Sequence, residues 1–292
     1  MTSLLPPTWH PALVGVLALA AAGYALVTTR RGVVASRAQR LRLALALVVL
    51  YLAYAWPLGD LATHVSVSAV VVQRLLVILA VAPLLITALP DDLVATITRP
   101  VVLDRASRAC GHPAVAIVVV TVVGSVTLLP PVVTWGASSS GAGAVLAAVT
   151  LLLGTVLWWP VLERAPAAHR LSNVAKGAYL MAASLVVTSL SFIWIFSQHV
   201  LYPSFAHQQA VLGLSAIDDQ QLAGYIAKLG AYLPLWVIAF LFFSRAADES
   251  AAREEPPLRW IDVQRELERV ERDHRRAHVP PDPRPAHPDG PP

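Results

Sequence analysis

A single cysteine, Cys110, in a chain of 292 residues leaves no partner for an intramolecular disulfide and no CxxC pair for a metal or redox centre. Charge is scarce too. Only 14% of residues are charged and 56% are hydrophobic, where soluble domains carry about 25% charged residues. That balance excludes an ordinary soluble domain and points to an integral membrane protein. No nucleophile–base pair and no phosphate-binding glycine loop can be found, so the pattern gives no enzyme. The N-terminal MTSLLPPTWHPALVG lacks the basic n-region of a signal peptide, and its apolar segment is as long as a membrane span; it is expected to remain as the first helix. The formal net charge of +4 does not point to nucleic acid, because the basic residues sort by topology.

What the chain has is a succession of apolar runs. Spans are expected at about 11–28, 41–56, 65–89, 113–129, 144–162, 178–196 and 222–243. The fourth is rich in Val and Thr, but in lipid every backbone group must bond within its own segment, so it too reads as helix. The fold class is therefore all-α, a polytopic membrane protein with seven transmembrane helices. After span four, PPVVTWGASSSGAG is uncharged and has turn chemistry. All but two of the 22 Lys and Arg lie after spans one, three and five or in the C-terminal tail. By the positive-inside rule the N-terminus is outside and the C-terminus cytoplasmic. The membrane domain is expected to cover residues 1–245. A cytoplasmic amphipathic helix should follow at 246–279, with Leu258, Ile261, Val263, Leu267 and Val270 at helical spacing, lying on the membrane or on a partner. The proline-rich 280–292 reads as disordered.

The two remaining basic residues, Arg74 and Lys228, fall inside spans. A cation there costs about 2.5–3.5 kcal/mol on insertion scales, so it should face a protein interior with a partner. Several polar residues belong to the same side. Asp60 and His64 precede span three, His199, Tyr202 and His207 follow span six, and Asp218, Asp219, Gln220 and Gln221 open span seven; His10 is there too. Three readings stand. Asp60, Arg74, Asp218, Asp219, Gln220 and Lys228 can form a buried ion-pair network, with Asp219 the expected partner of Lys228, although the dipole of its own helix accounts for one of the two aspartates. An anion or lipid headgroup can be drawn to Arg74 and Lys228. His10, His64, His199 and His207 can bind a metal, since imidazole suits copper and zinc, but the only thioethers are Met1 and Met181.

With SAVVVQRLLVILAVAPLLITALP at 68–90, FIWIFSQHVLYPSFA at 192–206 and DDQQLAGYI at 218–226, the chain resembles the CtaG family of cytochrome c oxidase assembly factors. The resemblance covers roughly residues 40–245. It implies a multi-pass protein of the bacterial plasma membrane, without enzymatic activity, that helps insert copper into the oxidase and has oxidase subunits or other respiratory-chain membrane proteins as partners. The departures are specific. Family members typically carry His-Met-x-Gln-His in the third span; here those positions read Val70, Val71, Val72, Gln73 and Arg74. The His expected after Trp135 is Gly136, and the Met-Trp pair after DQQLAG-x-I is Ala227 and Lys228. The expectation is a CtaG-like factor that keeps the scaffold without the family's usual copper site and takes no resident cofactor. The alternative is a transport or sensing protein with an outward-facing anion site at Arg74 and Lys228.

Overall fold

The computed structural model describes residues 10–164, 170–205, 213–253 and 260–277, and every regular element among them is helical. Among the described residues, five helices are long and apolar enough to cross a membrane, or up to seven if each of two bent pairs is one span. The five are α1 (Pro11–Arg30), Val67–Ala88, α10 (Ser140–Leu162), Asn173–Phe196 and Ala216–Ala252. In the bent pairs, α2 (Arg37–Tyr54) meets α3 (Leu58–His64) at 43°, and α7 (Val101–Cys110) meets α8 (Pro113–Thr127) at 96°. The seven apolar runs of the sequence fall on these helices.

Local chemistry sets several boundaries. Helix α2 begins at Ser36, whose hydroxyl accepts from the Gln39 amide while the Gln39 side chain accepts from the Ser36 amide, a complete capping box. The segment 130–143 is not the turn that its Gly and Ser content suggests. Pro130 and Pro131 end α8 but also open a new helix, α9 (Pro130–Ser138), because a proline in a first turn gives up only an N–H that has no helical partner. Ser139 then caps α10.

The third span is not a uniform α-helix. It runs as α4 (Val67–Leu76), a π turn (Val77–Val81) and α5 (Ala82–Ala88). Pro83 would disrupt the preceding α turn, and the π turn takes up the break. The carbonyl of Ile78 inside the π turn accepts the indole N–H of the buried Trp158 on α10 at 2.9 Å. Gly154 permits this approach: a Cβ there would lie 2.7 Å from Ala82 Cβ and 2.9 Å from Ile78 Cα.

Two apolar clusters form the core. One centres on Ala82, Leu153, Leu157, Trp158, Leu180 and Ala239. The other, around Val67, Val70, Val71, Trp194, Tyr202 and Ala223, packs the start of α4 against α12 (Ser191–Phe196) and the start of α13 (Ala216–Arg253). Helix α11 (Asn173–Val187) completes the sixth apolar run. The chain divides into two compact units, Met1–Ala246 and Ala247–Pro292. In the second, α14 (Trp260–Ala277) carries exposed Trp260, Ile261, Leu267 and Val270. Leu258 and the expected tail at 280–292 lie outside the described residues.

Candidate functional site: an arginine at a helix end

Arg74, near the end of α4, points at the last turn of α8. Its Nη1 donates to Thr127 Oγ1 at 2.8 Å and its Nη2 to the Thr127 carbonyl at 2.7 Å. The next carbonyl, of Leu128, accepts from the Tyr202 hydroxyl at 2.5 Å. The last carbonyls of a helix lack intrahelical partners and carry its negative dipole end, so a guanidinium and a phenol satisfy them while the dipole partly offsets the cation. Among the described residues, no carboxylate lies within ion-pair distance of Arg74.

Asp219 makes the complementary arrangement. It sits in the first turn of α13, but its carboxylate serves α4: it accepts from Ser66 Oγ at 2.6 Å, from the Val67 amide at 2.7 Å and from the Ser68 amide at 3.3 Å. Ser68 Oγ donates in turn to the Asp219 carbonyl at 2.8 Å. Asp219 and Ser66 are both buried, so a full negative charge is placed at the positive end of α4 with its lone pairs satisfied. Ser66 also caps α4 by accepting from the Ala69 amide.

The expected ion-pair network is therefore replaced by two separate charge–helix-end pairs. Lys228 is paired with neither aspartate. Its ammonium lies 3.9 Å from the Phe192 ring centroid and 4.9 Å from that of Tyr232, an aromatic environment that stabilises a half-buried cation. Asp218 is exposed and closes its own N-terminal turn, accepting from Ser215 Oγ at 2.6 Å. Asp60 lies 3.5 Å from His10 Nε2. Gln220, fully buried, accepts from the Leu201 amide at 2.8 Å and donates to the His199 carbonyl at 3.2 Å, tying the segment after α12 to α13. His64 and His199 are exposed. His207 lies outside the described residues, and among those described no group of three or more His, Cys, Asp or Glu is placed to hold a metal ion.

Two cavities meet at Arg74. An apolar one of about 110 Å³ reaches between α4, α8, α10, α11 and α13, with Leu75, Leu153 and Leu235 in its wall. The other, of about 120 Å³, is lined by Tyr54, Thr63, Val70, Gln73, Gly136 and Leu146 besides Arg74. Val70, Arg74 and Gly136 thus line one space, although they come from two different regions of the sequence. The donor set there does not fit copper: hydroxyls, an amide and a guanidinium supply no imidazole, thiolate or thioether, and a guanidinium cannot ligate a metal. A Cβ on Gly136 would meet Leu146 Cδ1 at 2.2 Å, so a side chain there would require the leucine to turn aside. Lys228 lines neither of these two cavities.

Sequence reasoning missed Thr127, Ser66 and Tyr54. Ser66 carried a readable signal, a serine directly before an apolar helical run. Thr127 carried none, since its contribution is chiefly a helix-end carbonyl.

No curated protein and no solved structure matches the chain. The model of the cytochrome c oxidase caa3 assembly factor family, Caa3_CtaG, matches residues 20–249. That stretch includes the capped third span, the cavity beside Arg74 and the helix that carries Asp219, so the chain belongs to the cytochrome c oxidase caa3 assembly factor family.

Proposed function

We propose that this protein is a non-enzymatic factor of the bacterial plasma membrane that assists assembly of a haem-copper cytochrome c oxidase or stays attached to it, with its N-terminus outside and its C-terminus in the cytoplasm. The observation that carries this reading is the family match, which spans nearly the whole apolar part of the chain. The distribution of Lys and Arg supports the orientation. We further propose that it acts without the copper site usual in its family. The support is the donor set at Val70, Arg74 and Gly136, where the positions that would need two imidazoles carry an apolar side chain and a guanidinium.

Affinity purification of the tagged full-length chain from its own membranes tests the proposal. Oxidase subunits should copurify at constant ratio, and deletion of the gene should lower assembled oxidase. Normal oxidase content in the deletion strain, with no subunit recovered, would reject the reading.

A further inference from the structure

The cavity beside Arg74 holds donors that the protein itself does not use. Arg74 donates from Nη1 and Nη2 to Thr127, and no acid lies within ion-pair distance among the described residues. Its other N–H groups are left for the cavities that it lines. A helix end carries about half an elementary charge, so the α8 terminus offsets the cation only in part. Tyr54 lines the same 120 Å³ cavity, its electrostatic neighbour is Arg74, and its hydroxyl makes no hydrogen bond among the described residues. A part-buried cation, a phenol donor without a hydrogen-bond partner among the described residues and a space large enough for several non-hydrogen atoms therefore coincide.

We infer that this cavity binds a short-chain monocarboxylate. Three features select that class. A guanidinium presents parallel N–H groups that match the planar carboxylate, and Tyr54 adds a further donor. One incompletely neutralised cation balances one negative charge, so a dianion such as sulfate would leave net charge buried in a low-dielectric interior. The remaining walls combine Val70, Val133, Leu146 and Ala147, which give apolar contact to a methyl or ethyl group, with the polar side chains of Thr63, Gln73 and Thr150. This inference is independent of the role in oxidase assembly and stands or falls separately from it.

The test is thermal unfolding of the purified full chain, followed by tryptophan fluorescence, with acetate, propionate, chloride or sulfate added at matched ionic strength. A ligand that binds only the folded state raises the midpoint in a concentration-dependent way. Acetate and propionate should raise it well above the chloride and sulfate controls. Arg74→Leu should abolish the difference, and Tyr54→Phe should shift the response to higher carboxylate concentration. Should Arg74→Leu fail to fold, Ala147→Leu keeps the cation, fills the cavity and should abolish the response equally. Equal midpoints in all four anions, or a carboxylate response that survives Arg74→Leu or Ala147→Leu, overturns the inference.

Discussion

Arg74 spends two donors on one residue, Thr127, taking both its hydroxyl and its carbonyl at the C-terminal end of α8. A part-buried guanidinium thereby finds compensation in a helix terminus instead of a carboxylate. The relation makes Thr127 the residue on which the cation depends most directly.

Thr127→Val keeps the shape and the carbonyl but deletes the hydroxyl acceptor. Hydrogen bonds to charged groups are worth about 1.5–3 kcal/mol, so a loss of about 1–2 kcal/mol is expected in reversible unfolding. In the Arg74→Leu background the same change should cost much less, because the donor is gone. Additive losses in that double-mutant cycle would contradict the pairing.

Asp219→Ala should be more damaging than Asp218→Ala. The first removes the acceptor for Ser66 Oγ and the first amides of α4 inside the core, the second only an exposed contact with Ser215. Leaving buried donors unsatisfied costs about 1–3 kcal/mol, whereas an exposed cap is worth about 1. Denaturant titration of the two variants side by side ranks them, and an equal or inverted order would count against the role given to Asp219.

Gly154→Ala places a methyl group where Ala82 and Ile78 already lie at 2.7 and 2.9 Å. Overpacking of this kind costs about 1–3 kcal/mol. The clash also displaces the π turn from Trp158, so near-ultraviolet circular dichroism should change together with the midpoint. A stable variant with an unaltered tryptophan signal would show that the helices separate without consequence.

Copper binding can be switched on as well as measured. Purified wild-type protein should carry no stoichiometric copper at the cavity. Val70→His with Arg74→His puts two imidazoles at i and i+4 on one helix face, and metal analysis of that double variant should show copper or zinc that the wild type lacks. Stoichiometric copper in the wild type, retained after changing Arg74 but lost on changing His64 or His199, would move the metal to the exposed histidines.

The orientation is checked by replacing Cys110 with Ser and labelling a Cys introduced at Ser139. That position precedes α10 and belongs to the side free of basic loops. Labelling from the outside of intact cells is expected, and labelling only after lysis would reverse the topology.

Hydropathy made the helices readable because a bilayer demands a long apolar run whatever surrounds it. Arg74 and Asp219 stood out for the same reason, as charges where charge is costly. Their partners did not. A helix terminus offers donors or acceptors of the backbone, which no side chain announces, and Asp219 was the more deceptive because its place in the first turn of α13 assigns it to its own helix end. Its carboxylate instead completes α4. Pro130-Pro131 was ambiguous in another way, since the dipeptide that halts one helix is equally suited to begin the next. The convergence of Val70 with Gly136 depends on how α4 and α9 approach one another, and neither local pattern nor hydropathy encodes that.

The bond between Ser66 and Asp219 joins residues 153 positions apart, and this bears on the order of events during synthesis. When the third span enters the membrane, the residue that completes its first turn has not yet been made. Until α13 follows, those amides must stay with water or headgroups at the bilayer surface, because hydrocarbon offers no acceptor. In the folded chain the same start of α13 also holds Gln220 against the preceding segment. Helix α13 thus acts as a latch of the bundle, and a nascent chain truncated before residue 219 should expose the start of the third span to proteases that cannot reach it in the finished protein.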